Sequence, residues 1–413
     1  MVEINGSRLD ARLDQFAAIG ATPKGGVNRQ ALTEGDRQAR RLLTKLALAR
    51  GFDVFQDQVA NLFIRRRGRY DDLPPLMMGS HLDSQPTGGR FDGALGTLSA
   101  FEVLESLEDA GVETERPIVL VSWTNEEGCR FAPGCMGSMA FSNGTIPNEW
   151  YDKRATDGAS FASELKSTIE SLPEARVKAL AFPISAYVEV HIEQGPSLEA
   201  EGIPVGVVTG IQGTRWLQIA VKGQTAHAGT TGLAYRRDPL WALTSALSQL
   251  YQNIMPPDPD ARFTVGRISA SPGSVNAIPD EVTCTVDIRH PKLERLDEIE
   301  KEVISAINCA ADRQHCAVDI SRTFDMPPCT FDQNLQEVII AAAGQLDLEW
   351  KAMLSGAFHD ALFVNRVAPA SMIFVPCHKG LSHNEAEYVE PLNALAGCQL
   401  LAKAATMMAT GEL

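Results

Sequence analysis

Residues 118–123, IVLVSW, make a nearly unbroken apolar run. A strand of that kind is stable when both of its faces are buried. It therefore belongs inside a sheet covered by helices. Residues 76–79, 186–190 and 205–208 have the same short apolar character, and residues 52–55 and 62–66 read as further strands. Helical patterns fall between them. Thr33 is placed to cap a helix, with Asp36 three residues on and Ala39, Leu42, Leu43 and Leu46 on one face. Residues 93–110 carry a second helical pattern that ends at Gly111. Strands alternating with helices predict an α/β fold, a mostly parallel sheet with helices on both faces.

The middle of the chain reads differently. Residues 217–221 form a strand, and Asp238 with Pro239 opens a helix to about residue 251. Residues 263–269 and 282–288 are strands, 293–311 a helix and 317–321 a strand. The order β-α-β-β-α-β is that of a split-βαβ, ferredoxin-like unit. After Met326-Pro327-Pro328 the α/β pattern resumes with a helix at 334–343, a strand at 372–375 and a helix at 391–408. The expectation is a main domain in two parts, residues 1–209 and 327–413, with a smaller domain at 210–326 inserted. At roughly 150 residues per domain, the length of 413 residues suits that division.

Charge and composition exclude some classes. Lys plus Arg is 37 and Asp plus Glu is 52, a net charge of −15. That balance argues against nucleic acid or an anionic membrane as the main partner. The short basic run Arg65–Arg69 reads as a solvated strand end. No stretch approaches the ~18 apolar residues of a membrane span, and the N-terminus lacks the features of a signal peptide. The eight cysteines are scattered with no CxxC spacing. Free thiols in a cytoplasmic protein are expected, and neither Cys129 nor Cys377 has an evident base partner for nucleophilic work.

Chemistry concentrates where predicted strands end. Gly79-Ser80-His81-Leu82-Asp83-Ser84 follows one strand and leads to Gly89-Arg90-Phe91-Asp92-Gly93. Open α/β sheets bind ligands at that end of their strands. His81 and Asp83 point the same way along an extended segment, so one can bind a metal while the other orients the imidazole. Asp92 opens a helix and can bridge two ions. Asn125-Glu126-Glu127-Gly128 follows residues 118–123, and adjacent carboxylates there call for cations or protons. Glu189-Val190-His191-Ile192-Glu193-Gln194-Gly195-Pro196 and Leu381-Ser382-His383-Asn384-Glu385 complete the set.

The ordered motifs HLDS, GGRFDG, NEEG, HIEQGP and SHNE resemble those of the M20-type di-metal amidohydrolases. Within them the chain is similar to the hydantoinase/carbamoylase branch, which includes N-carbamoyl-L-amino-acid hydrolases, β-ureidopropionases and allantoate amidohydrolases. The resemblance runs over nearly the whole chain, and the histidine of HIEQGP separates the branch from peptidase relatives that carry a carboxylate there. It implies two divalent ions per subunit, Zn, Mn, Co or Ni, with His81, Asp92 and His191 on one. Asp92, Glu127 and His383 hold the other. Glu126 takes the position of the general base, and Asp83 supports His81.

The resemblance also implies substrate contacts. His227, in Gly223-Gln224-Thr225-Ala226-His227-Ala228-Gly229, reaches toward the substrate carbonyl, often from the partner subunit of a homodimer formed through the inserted domain. Asn276 and Arg289 match positions that grip the substrate, and a guanidinium is a natural bidentate partner for a carboxylate. Gln194 is placed to meet the ureido group. His359 lies in GAFHDA, where Phe358 stands in place of the usual glycine and adds bulk. The implied reaction is hydrolysis of the ureido C–N bond of a small carboxylate-bearing substrate, an N-carbamoyl-L-amino acid or N-carbamoyl-β-amino acid. It yields amino acid, carbon dioxide and ammonia. Allantoate is the alternative substrate, followed by a peptide or acyl-amide bond and, last, a non-catalytic metal-binding role.

Overall fold

The computed structural model describes residues 2–411. The chain divides into two compact units: Met1–Gly210 with Phe331–Leu413, and Ile211–Thr330.

The discontinuous unit is built on one mixed sheet. Across it run Val205–Ile211, Ala370–Val375, Ala186–Ile192, Leu76–His81, Ile118–Trp123, Leu62–Arg66, Asp53–Gln56 and Arg176–Val177. The four central strands, from Ala370–Val375 to Ile118–Trp123, are mutually parallel and buried along their whole length. The expected mostly parallel sheet holds only there. Leu62–Arg66 is antiparallel to both of its neighbours, and Val205–Ile211 is antiparallel to Ala370–Val375. The physical reason is connection length. Asp53–Gln56 and Leu62–Arg66 are joined by a short turn, which permits a hairpin but not the long crossover of a parallel pair.

Period-two alternation along the central strands sends side chains to two separate cores. Leu76, Met78, Ile118, Leu120, Val188, Val190, Ile373 and Val375 pack with helices Gly6–Ala17, Glu34–Ala49, Ala94–Asp109 and Pro391–Ala409. On the other face, Trp123 and Phe63 meet Phe141 of helix Met136–Asn143 edge-on or tilted. Helix Ala94–Asp109 is buried along most of its length, as expected for one sandwiched between the sheet and other helices. Gly96 permits that approach, because a Cβ there would stand 2.1 Å from the Val190 carbonyl oxygen. Among the described residues no helix is long and apolar enough to cross a membrane.

The inserted unit is a four-stranded antiparallel sheet in the order Arg262–Ser271, Glu281–His290, Gly213–Lys222, Ala317–Met326. Glu281–His290 alternates strictly between buried and half-buried positions. Its inner side chains pack under helices Pro239–Ile254 and Leu293–Arg313. Asp238 accepts the Trp241 N–H at the start of the first of these helices, with Pro239 in its first turn. The strands run longer than expected: Gly213–Lys222 against 217–221, and Ala317–Met326 against 317–321. Their added residues include Trp216 and Phe324, which meet with ring centroids 4.6 Å apart. An aromatic pair on the partly exposed side stabilises a sheet without leaving an alternation signal.

Candidate metal centre

Four segments after central parallel strands converge. His81 ends its strand, fully buried, and its Nδ1 lies 2.9 Å from the main-chain oxygen of Asp83. Nδ1 is thereby engaged as a donor, which leaves Nε2 as the ring nitrogen available to a cation. Nε2 has no hydrogen-bond partner and lies 3.5 Å from both Asp92 Oδ1 and Glu126 Oε2. Gly93 makes room for this ring: its φ is +62°, and a Cβ there would come within 2.3 Å of the imidazole. His191 is arranged likewise, with Nδ1 at 3.0 Å from the Ile192 oxygen and Nε2 at 3.2 Å from Asp92 Oδ1.

The second oxygen of Asp92 faces elsewhere. Oδ2 lies 3.7 Å from His383 Nε2, which is 3.4 Å from Glu127 Oε2. Two groups result, His81 with Asp92 and His191, and Asp92 with Glu127 and His383. In each, one donor atom per residue lies within 4.8 Å of the others. These clustered groups, sharing Asp92, are a candidate donor set for a dinuclear centre, and nitrogen and oxygen donors suit first-row divalent ions. The orphaned, buried His81 Nε2 fits a cation in particular.

Electrostatics point the same way. Burial disfavours charge on His81, yet Glu126, Asp92 and Asp83 outweigh it and hold its pKa well above the usual range. Burial also opposes ionisation of Asp92, but hydrogen bonds and charge from His191 and His81 carry its pKa well below the usual value. Glu126 is driven well above, first by burial and then by the negative charges of Asp360, Glu127 and Asp92. Burial and Asp92 push Glu127 up to about 8. Crowded carboxylates that resist ionisation are the environment in which divalent charge is most stabilising.

Several expected residues are placed differently from their simplest reading. Asp83 supports His81 through its main-chain oxygen. Its carboxylate instead accepts the N–H groups of Glu126 and Glu127, at 3.3 and 3.2 Å. Gln194 Nε2 donates to Asp92 Oδ2 and to Ser382 Oγ, leaving Oε1 buried without a partner. His359 is buried, with its ring 4.4 Å from that of His191 and Nε2 3.1 Å from Ser355 Oγ. Burial and the charge of His191 hold its pKa well below normal, so it is neutral. His227, Asn276 and Arg289 lie in the inserted unit. His227 and Asn276 are brought together there: Ala277 pairs with His227, and the Asn276 oxygen accepts the Ala228 N–H at 2.9 Å. His227 Nδ1 accepts from Gly229 and Thr230, so Nε2 carries the proton. Arg289 is engaged by the Asp287 carboxylate on its own strand, at 2.7 and 3.0 Å.

Three further contributors had no role assigned to them from the sequence. Glu387 Oε1 accepts the N–H groups of Phe91 and Asp92, both at 2.9 Å. Cys135 donates its thiol to Glu126 Oε1 at 3.4 Å and its N–H to the Glu126 carbonyl at 2.8 Å. Glu189, on the strand that carries His191, accepts from Ser80, Tyr187 and the Ala361 N–H.

Comparison with known proteins places the chain in a family. A model described as Peptidase family M20/M25/M40 matches residues 77–407. An amidase of the hydantoinase/carbamoylase family from Burkholderia multivorans has a similar structure. Its TM-score is 0.94 at 40% identity, with 99% of each chain covered. The chain belongs to the M20/M25/M40 family and is a hydrolase of its hydantoinase/carbamoylase branch. Among curated relatives, an N-carbamoyl-L-amino-acid amidohydrolase of Rhizobium meliloti is 39% identical over 398 residues, covering 96% of this chain and 95% of the relative. One of Geobacillus stearothermophilus is 35% identical, covering 99% and 100%.

Proposed function

We propose that the protein hydrolyses the ureido C–N bond of N-carbamoyl-L-amino acids, releasing the amino acid, carbon dioxide and ammonia. The observation that carries this reading is the division of Asp92 between two histidine-carboxylate groups, with Glu126 Oε2 beside them. The full-length likeness to N-carbamoyl-L-amino-acid amidohydrolases supports the substrate class.

His81, Asp92 and His191 would hold one divalent ion, and Asp92, Glu127 and His383 the other. Such a pair supplies Lewis acidity and lowers the pKa of water. The chain's own residues do the rest. Cys135 occupies Oε1 of Glu126, so Oε2 takes the proton from the attacking water and returns it to the departing nitrogen. Water adds to the carbamoyl carbon, the bond to the amino-acid nitrogen breaks, and the carbamic acid left behind falls apart to carbon dioxide and ammonia. His227, with its proton on Nε2, is suited to donate to the developing oxyanion. Asn276 and Arg289 are assigned to the substrate carboxylate, and His359 and the Gln194 oxygen to its ureido end. The inserted unit is read as a ferredoxin-like lid and homodimer contact. Its strand order supports that reading, as does the largely exposed outer strand Arg262–Ser271, which has one neighbour. The eight free cysteines suit a reducing, cytoplasmic setting.

Two measurements test this. Ammonia release by metal-loaded protein should be fastest on N-carbamoyl-L-amino acids in a panel that includes N-carbamoyl-β-alanine, allantoate and dipeptides. Cleavage of dipeptides alone rejects the assignment, and preference for allantoate moves it within the branch. Glu126→Gln should keep its metal and lose about 10²–10⁴-fold in kcat. Turnover near the wild-type rate would remove Glu126 from the base role.

A further inference from the structure

We propose that Arg29 is a positioning residue of the metal centre, gripping the loop at residues 82–84 that ties together His81, Glu126 and Glu127. This rests on the reading of that centre given above.

Arg29 is 2% exposed and makes no ion pair among the described residues. An unpaired buried guanidinium is costly, so its retention calls for a specific reason. Burial draws its pKa down to about 10, with Asp36 and Asp83 opposing, and it stays charged at neutral pH. Its bonds go to main-chain oxygens. Nε donates to the Leu82 oxygen at 2.7 Å, and Nη1 to those of Phe16 at 2.7 Å and Ile19 at 3.0 Å. The last two lie at the C-terminal end of helix Gly6–Ala17, where unsatisfied carbonyls and the helix dipole favour a cation.

The main chain of Arg29 adds two more bonds. Its N–H donates to Ser84 Oγ at 2.8 Å, and its oxygen accepts the Ser84 N–H at 3.0 Å. Arg29 thus holds the residues on both sides of Asp83. Asp83 orients the His81 ring with its carbonyl and the Glu126-Glu127 main chain with its carboxylate. A single arginine, outside the span 77–407 matched by the family model, therefore anchors the part of the site through which two metal donors and the base are aligned. It also couples that part to the N-terminal helix.

The test uses the full chain and Zn²⁺ or Mn²⁺ as probe, in competition with a chromophoric chelator, at a temperature well below each variant's unfolding transition. Arg29→Met should weaken metal binding by about 10–100-fold, as loss of a supporting contact does. Arg29→Lys should fall between Arg29→Met and the wild type. In steady state kcat should drop with KM little changed. A residue serving stability alone would lower the melting temperature and leave the metal dissociation constant within twofold of wild type, and that result overturns the proposal. Should Arg29→Met not fold, Ser84→Ala carries the test. It should weaken metal binding about fivefold, the worth of one hydrogen bond, and an unchanged constant there also overturns the proposal. Wild-type protein that binds no divalent ion rejects the reading of the centre itself, whereas wild-type binding with unaltered variants rejects the role of Arg29 alone.

Discussion

Glu387 holds the Phe91 and Asp92 N–H groups with one oxygen and leaves the other buried without a partner. Burial and the charge of Asp92 push its pKa up to about 8. A carboxyl whose pKa is raised on folding contributes stability at low pH and loses it as pH rises through the folded value. In metal-free protein the Glu387 contribution should therefore fade between about pH 4 and pH 8. Glu387→Gln keeps the accepting oxygen and should flatten that loss while leaving metal affinity near wild type. Glu387→Ala strands two buried N–H groups, at about 1–3 kcal/mol each, and should weaken metal binding at least tenfold. Urea unfolding across pH and metal titration measure the two effects. At this scale the residues that cluster as candidate donors were legible, because His81, Asp92, Glu127, His191 and His383 each stand in a motif beside a strand end. Glu387, Cys135 and Arg29 were not. Each acts through main-chain hydrogen bonds or a contact far along the sequence, which leaves no local pattern of residue types.

Among the elements, the central strands were readable because burial on both faces forces an apolar run. Their neighbours at 62–66 and 205–208 also read as strands, but their antiparallel direction did not, since pairing direction leaves no mark on a run of four or five residues. Helix Gly6–Ala17 was also missed; its capping residue, Asn5, accepts the Arg8 N–H but precedes a largely polar stretch. In the inserted unit the long strands carry a buried charge cluster that alternation does not reveal. Arg215, 4% exposed, pairs with Glu300 at 2.8 Å, Asp325 at 2.9 Å and Asp297 at 2.6 Å, linking two strands to helix Leu293–Arg313. Glu300 is the most buried of the three partners. Removing the arginine leaves that carboxylate with Arg322 alone. Arg215→Met should destabilise the inserted unit by about 3 kcal/mol, whereas Arg215→Met with Glu300→Leu should recover most of the loss, because an apolar pair needs no desolvated charge. Guanidinium unfolding of the two variants decides it; a double variant no more stable than the single one would mean that shape, not charge, holds this contact.

For the whole molecule, the donors of both groups come from segments on either side of the inserted unit: residues 81–127 and 191 before it, 383 after it. The discontinuous unit therefore closes its site only when the chain returns to the sheet as strand Ala370–Val375 beside Ala186–Ile192. A ligand that binds the folded state alone stabilises it by mass action, about 2.7 kcal/mol at a hundredfold excess over its dissociation constant. That stabilisation belongs to one unit, since none of the five donor residues lies in Ile211–Thr330. Chelation should accordingly raise hydrogen exchange in residues 79–93, 124–128, 189–195 and 381–387. Strands Gly213–Lys222 and Glu281–His290 should exchange as before, and metal addition should reverse the change. Equal loss of protection in both units on chelation would show that the ions stabilise the chain as one cooperative body, and the separation of a metal-bearing unit from an inserted one would not hold energetically.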